Sequence, residues 1–140
     1  MFWDSSAVVP ELVPESSSPV VVTLLRSDPA VALWWASPVE CQSAIYRRHR
    51  DGALPEAGLT EALARLQMLV LHVDFIVPSE RIRERAGRVL AAHALRAGDA
   101  LQLAAALVWC EEAPQSDSFV CLDDRLREAA RREGFTVLPA

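Results

Sequence analysis

The sequence has no HExxH helix and no CxxC pair, and its three histidines and three cysteines stand singly at His49, His72, His93, Cys41, Cys110 and Cys121. A nitrogen- or sulfur-ligated metal centre therefore has no support. Odd in number, widely spaced and each set in an apolar run, the cysteines suit reduced, buried thiols better than a disulfide frame. No apolar run approaches the ~20 residues of a membrane span, and the first residues lack the basic segment and apolar core of a secretory signal, so a soluble, cytoplasmic protein is expected. Lysine is missing altogether: all fourteen basic residues are arginine, a bias that GC-rich coding explains as well as selection does. Nineteen acids give a net charge of −5, which argues against binding nucleic acid through a blanket of positive charge. That charge leaves open an enzyme whose acids hold divalent cations, because the cations bring positive charge to the place where phosphate must approach.

What is present is a globular composition, with 51% hydrophobic and 24% charged residues over a length of 140. Such a chain has room for one core of two or three layers and not for two, so residues 1–140 are expected to form a single domain. Short apolar runs alternate with helical patterns along it. Met1 to Trp3 reads as a strand running into Asp4, and Ser5 to Val13 as a short helix strained at Pro10. Ser18-Pro19 opens a segment from Val20 to Arg26 that reads as a helix, with strand as the competing reading because of three consecutive valines. Val31 to Trp35 is a buried strand, Ser37 to about Arg50 a helix closed by Asp51-Gly52, and Pro55 to Val70 a helix with leucines at helical spacing. Val73 to Val77 is a strand, and Pro78-Ser79 starts an amphipathic helix with a basic wet side. Leu95 to Trp109 is apolar all round and must lie near the centre of the fold, although it opens on Gly98-Asp99. Phe119 to Leu122 is a strand running into Asp123-Asp124, followed by a helix from Arg125 to Arg132, Gly134 as its C′ residue, and a last strand from Phe135 to Leu138. The alternation predicts an α/β fold, a short parallel sheet with helices on both faces.

In a parallel sheet all strand carboxyl ends lie on one edge, where the following helices begin. Asp4 and Asp123 end strands, and Glu40 falls in the first turn of the helix after the second strand, so three acids distant in sequence converge on that edge. Topology does not place Asp99. A carboxylate cluster without a basic partner is unfavourable unless cations bind or some acids are protonated. Hard oxygen ligands open to solvent suit Mg²⁺ or Mn²⁺, and the chemistry implied is metal-dependent hydrolysis of a phosphate ester.

The segments FWDSSAVV, PVECQSAIYRR, LRAGDALQLAAAL and FVCLDDRLREAARREGFTVL resemble, in order and spacing, the four acidic motifs of PIN-domain ribonucleases, in particular VapC-type toxins of toxin–antitoxin pairs. The resemblance spans nearly the whole chain. It implies a PIN-like three-layer sandwich and an acidic quartet of Asp4, Glu40, Asp99 and Asp123 that binds Mg²⁺ or Mn²⁺, with Asp4, Asp99 and Asp123 as ligands. It also implies Ser6 as a supporting hydroxyl, Arg47 as an RNA contact, endonucleolytic cleavage of RNA, a homodimer, and inhibition by a small antitoxin. Two positions depart from the commoner pattern. Gln102 stands where a histidine is frequent. Cys121 stands where a Thr or Ser hydroxyl is common, which bears on the orientation of the fourth acid and leaves Asp124 to share or replace its role.

Each acid has a plainer reading taken alone. Ser37-x-x-Glu40 is a capping box, Asp99 complements a helix dipole, and Asp123 or Asp124 is an N-cap. Four coincident motifs outweigh them. Ser5 and Ser6 lack a G-x-S-x-G elbow and read as helix caps, and Trp34 and Trp35 read as packing. An aspartate-nucleophile phosphatase would need a second acid at position 6, where the residue is serine. The alternative from another class is a catalytically silent PIN-fold interaction module, toward which Cys121 is the one hint.

Overall fold

The computed structural model describes all 140 residues, Met1–Ala140. Five strands, β1 (Phe2–Trp3), β2 (Ala32–Trp34), β3 (Asp74–Ile76), β4 (Ser118–Val120) and β5 (Thr136–Leu138), pair in parallel in the order β3-β2-β1-β4-β5. The helices are α1 (Ser5–Leu12), α2 (Ser18–Ser27), α3 (Ser37–Arg50), α4 (Glu56–Val70), α5 (Glu80–Ala92), α6 (Ala97–Trp109) and α7 (Asp124–Glu133), with one 3₁₀ turn at Pro114–Ser116.

Because strand side chains alternate between faces, each short strand feeds two cores. Phe2, Ala32, Trp34 and Phe119 join Ile82, Val89, Leu103, Leu107 and Leu126 from α5, α6 and α7. Trp3, Leu33 and Val120 join Val8, Ile45, Leu59 and Leu66 from α1, α3 and α4. Both faces of the sheet are covered, which is why its strands read as uninterrupted apolar runs. Phe2 lies at the middle, stacked on Phe119 at 5.7 Å between centroids. The architecture is the expected three-layer α/β sandwich.

The strands are shorter than the apolar runs that announce them, and Val31, Trp35, Val73 and Val77 lie outside the ladders. Residues 18–27 are helical despite three valines, and Val21 is the one buried side chain of α2. A segment with a single buried position gains little from β-pairing, and Pro19 in its first turn favours helix. The cap falls at Ser17 and not at Ser18, whose hydroxyl instead donates to the carbonyl of Pro10 at 2.6 Å and accepts from the amide of Glu15 at 2.8 Å. Gly134 ends α7 at φ +106°, where a side chain would be strained.

Arg127 fastens the carboxyl edge of the sheet. Its guanidinium donates to the carbonyls of Cys121 at 2.6 Å, Leu138 at 3.2 Å and Pro139 at 2.6 Å. Arg127→Ala removes the side-chain donor from the Cys121 and Pro139 carbonyls, while Leu138 keeps the amide of Cys121 at 3.0 Å, and we expect a loss of about 2 kcal/mol in urea denaturation. An unchanged midpoint would show that water replaces the guanidinium without cost.

Candidate active site

Asp4 follows β1 without leaving the sheet, since its amide donates to the carbonyl of Val120 at 2.9 Å. The backbone is extended there, so Asp4 becomes the N-cap of α1. Its Oδ2 accepts from the Ser6 amide at 2.9 Å and from the Ser6 hydroxyl, and the Cys121 thiol lies 3.6 Å away. The Ser6 hydroxyl in turn accepts from the amide of Leu122 at 2.9 Å, which ties α1 to the end of β4. One carboxylate oxygen is thereby fixed by donors from two strand ends, while Oδ1 receives no hydrogen bond from the protein. The Ser6 hydroxyl thus stands beside Asp4, the position at which the resemblance puts a supporting hydroxyl.

Glu40 is not the partner of a capping box. The cap of α3 falls at Ala36, with no side-chain bond, and Ser37 is already helical and fully buried. Both Ser37 and Glu40 are instead served by Gln102 of α6, whose amide Nε2 lies 2.6 Å from Glu40 Oε2 and 3.1 Å from Ser37 Oγ. Gln102 is 1% exposed and its Oε1 has no partner. Its burial on α6 and its bond to Glu40 make it a positioning residue for that acid.

Asp99 stands half-buried in the first turn of α6, and Asp123 caps α7 through Oδ1, which accepts from the amide of Leu126 at 2.9 Å. Capping and membership of the cluster are compatible, because the cap uses one oxygen only. Asp124, expected to share or replace the role of Asp123, lines a different hollow, with His93, Arg125, Glu128 and Arg132. Cys121 also differs from expectation. Its thiol faces Asp4 and Ser6, and toward Asp123 it reaches the backbone carbonyl at 3.6 Å, so the position supports the first acid more than the fourth. Burial, and then the Asp4 charge, push the thiol above its usual range, so it is an S–H group at neutral pH.

Asp4, Glu40, Asp99 and Asp123 line one open pocket of about 400 Å³, with Ser5, Ser6, Ser43 and Arg47 in its wall. The electrostatic cost of this grouping is visible. Burial, joined by the charge of Glu40, raises Asp4 to about 6 against the hydrogen bonds from Ser6 that oppose the shift. Burial and then Asp123 raise Asp99. A pocket of oxygen donors whose negative charge is only partly offset, by Arg96 and Arg125 beside Asp99, fits a hard divalent cation. No three acidic, histidine or cysteine side chains close into a preformed ligand cage. The acids surround a space instead, with room for an ion that keeps part of its water shell and for a phosphate oxygen.

Parallel strand order, two helical layers and an acid-lined carboxyl edge together define the PIN-like α/β fold. Two solved structures share it. VapC20 of Mycobacterium tuberculosis, a sarcin-ricin-loop-cleaving toxin, superposes with a TM-score of 0.69 at 18% identity over 96% of this chain and 95% of that one. FitAcB from Neisseria gonorrhoeae superposes with a TM-score of 0.68 at 16% identity over 99% of this chain and 96% of that one. No family model and no curated protein matches the sequence.

Proposed function

We propose that the protein is a Mg²⁺- or Mn²⁺-dependent endoribonuclease, the toxin of a VapC-type toxin–antitoxin pair, acting in the cytoplasm. The observation that carries this reading is the meeting of Asp4, Glu40, Asp99 and Asp123, from four separate elements, in one solvent-open pocket. The PIN-like fold shared with a sarcin-ricin-loop-cleaving toxin supports RNA as substrate. No helix is long and apolar enough to cross a membrane.

Asp4, Asp99 and Asp123 would hold the metal, which supplies an activated water and charge stabilisation at the scissile phosphate. Asp4 serves through the oxygen that Ser6 leaves free, and Asp123 through the oxygen that the Leu126 amide leaves free. Glu40, oriented by Gln102, faces the same space from α3 and completes the acid wall. Arg47, exposed at the rim and free of carboxylate partners, attracts the RNA backbone.

Trp35, Val39 and Val77 are exposed where β2, β3 and α3 meet, at 58%, 64% and 61%. This apolar surface supports a homodimer, and Met68 and Leu71 on and just after α4 offer a second one for a small antitoxin.

Induced expression tests the reading in cells. Growth arrest by the wild-type chain that Asp99→Asn abolishes, at equal protein level, is the expected result; arrest by both would sink it. Gln102→Leu is expected to lower kcat about tenfold, the worth of one charge-assisted hydrogen bond, with KM little changed. Rescue by Gln102→His, which restores a donor, separates positioning from packing.

A further inference from the structure

Half of the fourteen arginines are ion-paired to carboxylates. Arg127 is engaged by backbone carbonyls. Among the remainder, Arg26, Arg50 and Arg131 line none of the hollows described, whereas Arg47, Arg96 and Arg125 all border the acids. Arg96 and Arg125 close a small polar hollow of about 270 Å³ whose other two walls are Asp99 and Asp123. That hollow shares both acids with the active pocket. On its far side Arg125 also belongs to a larger hollow of about 770 Å³, formed between the end of α5 and one face of α7. The larger hollow is floored by Ala92, Ala94, Leu95 and Ala129, with charged side chains at its rim. The three concavities therefore run in series, from Arg47 past the acids to Arg96 and Arg125 and on to the apolar floor.

Arg96 and Arg125 face Asp99 and Asp123 across this hollow without closing an ion pair onto either, which leaves guanidinium donors free for a further anion. Both side chains are exposed, near enough to Asp99 to act on its charge, and yet neither forms an ion pair with it. Guanidinium forks match phosphate oxygens in geometry and remain charged at all relevant pH. An enzyme that cuts a polymer gains from holding the chain beside the bond it cuts, since misplacement of the reacting groups is costly. An apolar floor of small side chains accepts a flat base, and polar groups at the rim read its edge.

We propose that these hollows form a subsite for the nucleotide next to the cleaved bond: Arg96 and Arg125 hold its phosphate and the larger hollow receives its base. The substrate class is single-stranded RNA, entering along Arg47 and leaving over α7, or the reverse. This assignment rests on the ribonuclease reading and adds a strand path and a positioning role for two residues outside the acidic quartet.

The test uses a fluorescent single-stranded RNA oligonucleotide with the full chain. Binding is followed by anisotropy in EDTA and cleavage in Mn²⁺, for wild type and for the double variant Arg96→Gln, Arg125→Gln. Both positions are exposed, and Arg96 caps α6 without a side-chain bond, so folding should survive; far-ultraviolet circular dichroism checks it. The expected result is a rise in KM of tenfold or more with a smaller change in kcat, and a salt dependence of binding shallower by about one to two in log–log slope. Ala92→Trp, which narrows the larger hollow, should slow oligonucleotides that extend past the cleaved bond on one side and spare shorter ones. Unchanged KM and salt slope beside intact wild-type cleavage would overturn the subsite and leave the ribonuclease standing. No cleavage by the wild type, with RNA binding that still depends on both arginines, would overturn the ribonuclease and retain the binding track. No binding by either protein would overturn both.

Discussion

Replacing Asp4 by asparagine is expected to abolish RNA cleavage and, in the same protein, to raise stability at pH 7 in EDTA. The loss should be at least about a thousandfold, since the variant removes a charged oxygen at the reacting phosphate. The gain follows from burial. Asp4 ordinarily titrates near 3.8, and in the fold at about 6, chiefly because burial penalises its charge. Below pH 3.8 both folded and unfolded chains carry the proton and the group is neutral in its effect. Between 3.8 and 6 the unfolded chain ionises first, so stability is lost as pH rises, and above 6 the loss is complete. A shift of about two units corresponds to about 3 kcal/mol, which asparagine recovers because it stays neutral. Asparagine also keeps the cap of α1, since its side-chain oxygen accepts from Ser6 as the carboxylate does. Urea denaturation in EDTA at pH 7 and at pH 3.5, run beside a cleavage assay, measures both effects. A variant that is less stable at pH 7, or that still cuts, would break the link between burial and function.

Divalent metal should reverse that pH trend. In EDTA the Asp4 contribution makes stability fall from pH 4 to 6. With Mn²⁺ at about a hundredfold excess over its dissociation constant, linkage adds about 2.7 kcal/mol to the folded state. Metal ligands must be deprotonated, so the gain is present at pH 7 and fades as pH falls through about 6, where Asp4 takes up its proton. Asp99 acts in the same sense, because burial and Asp123 raise it as well. Asp99→Asn should therefore lose most of the Mn²⁺ gain while keeping its stability in EDTA. Equal gains in both proteins would place the ion elsewhere.

These outcomes separate what the sequence carries from what only packing shows. Asp4 and Asp123 were legible because a strand that ends in an acid before a helix advertises its position in a parallel sheet, and both lie at that edge. Glu40 was legible from its place in the first turn of the helix after β2, against a plainer local reading. Its spacing from Ser37 is that of a capping box, yet the helix begins one residue earlier than such a box requires, and Gln102 takes up both side chains. Nothing local in the sequence pairs residues 40 and 102; the contact arises because the N-terminal turns of α3 and α6 approach each other. Asp99 entered through resemblance alone, since no strand precedes its helix. The side toward which Cys121 points is set by the alternation along β4 and the close approach of Ser6, and a sequence pattern that groups it with Asp123 does not show it. Arg96 and Arg125 carry no signal in an arginine-rich sequence; what sets them apart is that seven of the other twelve arginines are ion-paired in the fold while these two border the acids unpaired. The three valines of α2 made strand the competing reading, and the helical reading holds because local β propensity counts for little where one side chain in ten is buried.

The central claim is that the four acids form a metal-dependent centre for cutting RNA. Purified protein incubated with total cellular RNA, in Mn²⁺ or in EDTA, with the new ends mapped by sequencing, tests it most directly. Discrete cut sites that appear with Mn²⁺, vanish with EDTA and are absent for Asp4→Asn are the predicted result. Cutting that persists in EDTA or in Asp4→Asn, or intact RNA at every Mn²⁺ concentration, would contradict it.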